Sequence, residues 1–402
     1  MLEPRHHQQV WAIKDQSSGQ PLLGCGTCLD RPTCGGLHTA NGGADAISCM
    51  SMCRCEDPER CHTVCPKAPV RYAHRVWEVG GFELDDIPLA PAVPLPPLPG
   101  FIPLWEGNVV GKRAIRDLNH VAFPLSMALR GGRQLDRAKN AAELRRSFGA
   151  QPIKGWIASG VERDPKVERI WRLPEWKKAF ALMHRAGVIF ATSPNYSTYA
   201  DVPRHDNLHA IKRIAWTWYH MVNAGLPTAL HLNGRTDHDF ERWAEFAKRQ
   251  VNLKAVAFEF LTGAKPLEDG ARYVQRLIRF VQLSGRRDLV LVRRGGQSFE
   301  DELKNYFAQV VTIDSDPYFK TVKRQRLTLE HSGALRARKH RTASAAQMRE
   351  LLTHNTSLKA ALHMGTLQRP AQGELEFLAL AASGPAQCET DDEASQFDLF
   401  AG

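Results

Sequence analysis

Beyond residue 65 the 402-residue chain holds one cysteine, Cys388. Long apolar runs are missing as well. No stretch approaches the ~20 apolar residues that cross a bilayer, and the start, MLEPRHHQQVWAIKDQSSG, lacks the apolar core of a secretory signal. No G-x-G-x-x-G or G-x-x-x-x-G-K-[ST] follows a strand-like run, so the common phosphate-cradling loops are absent. No G-x-S-x-G element fixes a reaction type, and no internal repeat is evident. These absences predict a cytoplasmic protein with no membrane partner. With 43% apolar and 24% charged residues, wholesale disorder is excluded.

What is present divides the chain into four pieces: residues 1–85, 86–104, 105–370 and 371–402. The first holds the other eight cysteines, Cys25, Cys28, Cys34, Cys49, Cys53, Cys55, Cys61 and Cys65. In a reducing compartment thiolates at such spacings read as metal ligands more than as disulfides. Eight of them supply two four-ligand sites, for an iron–sulfur cluster or zinc, in a small Cys-rich module. The second piece, DIPLAPAVPLPPLPGFIP, is rich in proline. It should be extended, either as a spacer or wrapped over the next domain.

From about 105 to 370, short apolar runs alternate with helix-like segments. The runs are VAFPLSM (121–127), IKGWIAS (153–159), VIFATS (188–193), TALHL (228–232), AVAFEFL (255–261), LVLVR (289–293) and VVTID (310–314). They show little alternation, as buried parallel strands do. Between them EWKKAFALMHRAG places Trp176, Phe180 and Met183 on one helical face and stops at Gly187. ARYVQRLIRFVQLSG behaves likewise and stops at Gly285. With an eighth strand at LKAALHM (358–364), the pattern predicts an α/β fold of the (βα)8-barrel type, an open doubly wound sheet being the rival.

In such a barrel functional groups lie where strands give way to loops. That rule selects Asn195, His231, Glu259, Arg293 and Asp314 as candidate catalytic residues. Glu259 sits inside an apolar strand, where an unpaired charge is costly. It therefore reads as an acid–base or metal-binding group. His231 reads equally as a hydrogen-bonded core residue, and Arg293 and Arg294 as a clamp for phosphate or carboxylate. Asp314 and Asp316 read as metal ligands with Glu259, as a base, or as turn formers. Further on, Lys323, Arg324, Arg326, Arg336, Arg338, Lys339 and Arg341 stand against one acidic residue, Glu330. With a formal net charge of +10, this stretch suits nucleic-acid phosphates and predicts backbone contact with DNA. Tyr318 and Phe319 beside it are candidates for stacking on unpaired bases.

Several segments resemble known families. Cys25-x2-Cys28-x5-Cys34 resembles part of the iron–sulfur loop of endonuclease III-type DNA glycosylases. Gln396-Phe397-Asp398-Leu399-Phe400 resembles the bacterial sliding-clamp-binding motif, which implies a clamp contact through Gln396, Asp398, Leu399 and Phe400. SPNYSTYADVPRHDNLHAIKR resembles a motif of an uncharacterised phage- and plasmid-associated family, and the general layout looks like guanine transglycosylase barrels. The expected function is a DNA-processing or DNA-modifying protein recruited through the clamp. The alternatives are a non-catalytic DNA- and clamp-binding adaptor or inhibitor, and a nucleobase-exchanging barrel enzyme acting on DNA or tRNA.

Overall fold

A computed structural model describes residues 75–106, 118–128, 154–172, 175–199, 204–261, 267–330 and 334–363. Among them, eight strands pair in parallel: β1 (Phe101–Pro103), β2 (His120–Pro124), β3 (Gly155–Ser159), β4 (Val188–Thr192), β5 (Thr228–His231), β6 (Ala255–Glu259), β7 (Val290–Arg294) and β8 (Gln309–Asp314). The sheet runs from β2 through β8 to β1, and a parallel bridge between Leu104 and Ala122 brings its two edges together. Trp105 N–H donates to the Ala122 carbonyl at 2.8 Å across that seam. The result is a nearly closed (βα)8 barrel. Its helices are α1 (Leu125–Ala128), α2 (Asp164–Trp171), α3 (Trp176–Arg185), α4 (Arg204–Asn223), α5 (Asp237–Arg249), α6 (Leu267–Ser284), α7 (Glu300–Lys304), α8 (Asp316–Val322) and α9 (Ala345–His363). Between α8 and α9 lies an antiparallel hairpin of β9 (Gln325–Leu329) and β10 (Leu335–Lys339).

The eighth strand is not the one expected. Residues 358–363 of LKAALHM belong to α9, and the strand comes from the end of the proline-rich segment instead. The buried stripe of α9 includes Asn355, Lys359 and His363, so its helical period is carried by polar residues that an apolar count passes over. Pro103 is tolerated because it ends its strand, and the next amide, Leu104 N–H, resumes pairing on the Asp314 carbonyl at 2.8 Å.

The proline-rich segment wraps the barrel as a strap. Proline has no N–H to offer a ladder, and the strap's carbonyls are met by side chains at the ends of neighbouring helices. Lys212 of α4 reaches the Glu83 carbonyl and the Asp86 carboxylate. Arg249 of α5 reaches the Leu84, Asp85 and Ile87 carbonyls. Gln250 and Asn252 bind Pro88 and Ala90. The strap ends beneath the barrel, where Leu98 joins the interior cluster and its carbonyl accepts from Gln309 Nε2 at 2.8 Å. At its other end, a helical turn over 75–79 is pinned by buried Glu78, which accepts from Trp171 Nε1 at 2.6 Å and pairs with His209 Nε2 at 2.7 Å.

Strand alternation splits the core in two. Outward side chains such as Phe123, Trp156 and Phe258 pack under the helices, while Ile102, Ile157, Phe190, Val292 and their neighbours fill the interior. The paired registers add up to a shear of eight residues around the barrel, so a level layer climbs one residue per strand. Sorted this way, the inward side chains stack as His120, Phe190, Ala255 and Val311, then Ile102, Ile157, Ala229 and Val292, then Ala122, Thr192, Ala257 and Ile313. The fourth layer is Leu104, Ser159, His231 and Arg294. There the apolar interior gives way to polar groups.

Among the described residues no helix is long and apolar enough to cross a membrane.

Candidate active site at the barrel mouth

Above the fourth layer opens a pocket of about 830 Å³, at the C-terminal ends of the strands. His231 and Arg294 form part of its floor, and Glu259, the last residue of β6, stands beside them. The site is built on strand ends, which are rigid, and on loops tied to one another by hydrogen bonds.

The loop after β3 is one such piece. Gly160 presses against β4 so closely that a Cβ there would stand 2.1 Å from the Ser193 carbonyl oxygen, so only glycine fits. Its N–H donates to Thr192 Oγ1 at 2.8 Å and its carbonyl accepts from Asn195 N–H at 2.9 Å. This contact holds Glu162 and Asp164 at the rim. Ser126, just after β2, donates both its N–H and its hydroxyl to the Glu162 carboxylate. Burial raises the Glu162 carboxyl above its ordinary value, against the pull of the two Ser126 bonds. Asp164 accepts from the Ser197 hydroxyl and the Tyr199 phenol. Burial, with Asp164 adding to it, pushes the Tyr199 phenol up to about 12, so it stays a proton donor.

The loops after β4 and β5 are joined by amides. Asn233 Nδ2 donates to Asn195 Oδ1 at 2.6 Å and to the Tyr196 carbonyl at 3.0 Å, while its Oδ1 accepts from Thr198 Oγ1 at 2.9 Å. Arg235 follows, held by Tyr273 at 3.2 Å. A capping box at the start of α5, Thr236 with Asp239, fixes the chain just beyond.

The centre holds three titratable groups. Burial takes the His231 imidazole down to about 3, with Arg294 adding to the effect and the Leu232 backbone opposing it, so the ring is neutral in the physiological range. Neither ring nitrogen makes a hydrogen bond of normal geometry. Glu259 Oε1 accepts from Leu261 N–H at 3.1 Å. Arg294 Nη1 donates to the Val161 carbonyl at 2.9 Å, tying β7 to the loop after β3. Burial lowers the Arg294 guanidinium, and the charges of Glu106, Glu259, Asp314 and Glu162 oppose that shift. Arginine nonetheless stays a cation in a protein. Gly295 and Gly296 follow it at φ 72° and 64°, turning the chain over Phe260.

Of the residues picked from the sequence, Asn195, His231 and Glu259 meet in this pocket, and Arg293 and Asp314 do not. Counted from the inward Val290 and Val292, position 294 faces inward and 293 outward. Arg293 is buried on the outer face against Glu300, which also holds His363 Nδ1 at 2.6 Å. Burial raises the Glu300 carboxyl, but the His363 bond and the Arg293 charge outweigh it and set it at about 2. Asp314 likewise points outward, where Lys359 of α9 bridges it at 3.1 Å and Asp316 at 3.0 Å. Both therefore secure α9 rather than line the mouth. The pocket also takes in Arg294, offered by the sequence only as a phosphate or carboxylate clamp, and Glu162, Asp164, Tyr199, Asn233 and Arg235, which lie outside the five catalytic candidates. Strand parity applied to β7 finds Arg294, whereas the loop residues depend on contacts between strands far apart in sequence.

The expected iron–sulfur cluster or zinc is corrected here. Among the described residues no group of three or more His, Cys, Asp or Glu side chains is placed to hold a metal ion. Asp314 in particular is turned away from Glu259 and engaged by Lys359. Cys25, Cys28, Cys34, Cys49, Cys53, Cys55, Cys61 and Cys65 lie outside the described residues, as do Gln396, Asp398, Leu399 and Phe400.

The basic stretch forms the end of α8 and the hairpin that follows. Lys323, Arg324, Arg326, Arg336, Arg338, Lys339 and Arg341 are all exposed. Arg324, at φ 53°, makes the sharp turn between α8 and β9. Register places Arg326 opposite Arg338 and Thr328 opposite Arg336, so three guanidiniums share one face. Glu330 takes Arg336 at 3.1 Å and Arg338 at 3.3 Å. Buried Leu327 and Asn355 seat the other face on α9. Phe319 of α8 lines the mouth, so the hairpin begins a few residues from the pocket wall.

No family model matches the chain, and no curated protein matches its sequence. Fold and site together define a nearly closed (βα)8 barrel with a polar pocket at the C-terminal end of its strands.

Proposed function

We propose that this protein is a DNA-modifying enzyme working at the barrel mouth. One observation carries the reading: Glu259, Glu162 and Arg294, from three separate strand ends, converge with neutral His231 on one open pocket. Paired carboxyl groups in unlike surroundings suit acid–base work, because one can hold a proton while the other accepts it. Glu162, raised by burial, takes the acid role, and Glu259 the base. Arg294 offsets negative charge that develops between them. Asn195 and Asn233 orient the substrate.

DNA as the substrate is supported by the arginine face of the hairpin beside the pocket. The terminal Gln396-Phe397-Asp398-Leu399-Phe400 supports delivery by the sliding clamp, since tethering raises local concentration without sequence reading.

The test is made in cells, where co-substrates are present. The full chain and its Glu259→Gln and Arg294→Met variants are expressed, and host DNA and RNA are digested to nucleosides and analysed by mass spectrometry, with strand integrity read on gels. An altered nucleoside or a strand break in DNA that both substitutions abolish is expected. Unaltered DNA beside altered RNA would move the substrate to RNA. If neither nucleic acid changes, the enzymatic reading fails and a DNA-binding adaptor takes its place.

A further inference from the structure

Three buried polar groups in the layer beneath the pocket make no hydrogen bond of normal geometry, Ser159 Oγ, both ring nitrogens of His231 and Arg294 Nε, and two of these residues, His231 and Arg294, line the pocket itself. Ser159, His231 and Arg293 are each 1% exposed, but only the first two share the inward parity with Arg294. They come from β3, β5 and β7, the alternate strands that share the fourth layer. Buried polar groups left without a partner are rare and costly, so three residues on one level call for a common occupant.

The chemistry of the layer narrows that occupant. A neutral imidazole offers one N–H donor and one acceptor nitrogen. Arg294 Nε–H adds a donor. A phosphate only accepts. It would leave the acceptor nitrogen of His231 unmet and would face the charges of Glu259 and Glu162. A ligand satisfying all of these groups carries donors and acceptors side by side along one edge and has little charge of its own. The pocket adds aromatic surface, with Tyr273 in the wall and Phe319 at the rim. Cations occupy the outer lining, at Arg163, Lys166 and Arg235.

We infer that the pocket receives a single nucleobase turned out of the nucleic-acid stack, its polar edge read by His231 and Arg294 while its sugar-phosphate stays at the cationic rim. This rests on the DNA-modifying reading and names what enters the site. An enzyme that acts on a base must take it out of the duplex or meet it single-stranded. A volume of about 830 Å³ accommodates a nucleotide.

The experiment titrates the full chain by calorimetry with dAMP, dGMP, dCMP and TMP, and with deoxyribose 5-phosphate as the baseless probe. At least one nucleotide is expected to bind tenfold or more tightly than the sugar phosphate. His231→Phe should bring that nucleotide back to the level of the sugar phosphate. His231→Gln, which keeps a donor and an acceptor, should retain most of the difference. Arg294→Lys keeps the charge but loses Nε–H, and provides the second variant should His231→Phe fail to fold. The side-chain ¹⁵N signals of His231 should shift with the nucleotide and not with the sugar phosphate. Equal binding of all five probes, or full nucleotide preference in a folded His231→Phe or Arg294→Lys variant, overturns the inference. It would do so even if DNA is modified in cells, since that result is read separately.

Discussion

Replacing Arg326, Arg336 and Arg338 together by Gln should flatten the salt dependence of DNA binding by a calculable amount. Register sets Arg326 directly across from Arg338, and Arg336 two residues further along the same face. Paired Cα atoms lie about 5 Å apart and every second residue of a strand about 7 Å, so the three guanidiniums reach separate phosphates. Each phosphate neutralised on duplex DNA contributes about −0.9 to the slope of log K against log salt. Three contacts therefore contribute about −2.7, or about 40-fold in affinity between 50 and 200 mM salt. Glu330 competes for Arg336 and Arg338, so this is the upper figure. The side chains of Arg336 and Arg338 are 66% and 64% exposed, and their loss should leave thermal stability nearly unchanged. Fluorescence anisotropy of a labelled duplex at several salt concentrations reads the slope. A folded triple variant whose slope equals that of the wild type would refute the ribbon as a phosphate contact.

Two other outcomes test the outer face. Glu300 titrates at about 2 in the folded protein against 4.5 as a free group, so its contribution to stability is complete above pH 4.5 and is lost as the pH falls toward 2. Thermal melts of Glu300→Gln should lack that acid-sensitive part, and an identical pH profile in both proteins would contradict the pairing with His363 and Arg293. Asn355 is fully buried and joins Leu327 N–H, Thr321 Oγ1 and the Gln325 carbonyl. Asn355→Ala leaves those groups unmet and should cost about 1–3 kcal/mol in denaturant titrations. It should also weaken DNA binding through the loosened hairpin.

Seven barrel strands were legible because a buried parallel strand is a short apolar run, and each run overlaps its observed strand, VAFPLSM alone continuing three residues past β2 into α1. β1 was not, because three residues ending in a proline carry no strand signature and are defined by β8, far along the chain. His231 and Glu259 could be read because they interrupt apolar strands. Arg293 was preferred to Arg294 because the run LVLVR ends on it, although inward Val290 and Val292 give the opposite parity. Glu162 and Asp164 are ordinary loop carboxylates in sequence. What sets them apart is Gly160 lying on Ser193, and Ser126 arriving from another strand end.

The strap has a consequence for the order of folding. It carries the chain under the barrel before β1 begins, so the seam strand is joined to β8 across a separation of 211 residues at Leu98 and Gln309. Contacts that distant form after local ones, because the chain between them must first be ordered. The run from β2 to β8 is therefore expected to assemble strand by strand as neighbours, with the pairing of β1 on β8 closing the barrel last. The same seam should open first. Amide hydrogens of Leu104 and Trp105 are expected to exchange before those of β6 and β7, and the barrel would come apart from its edge while its middle still held.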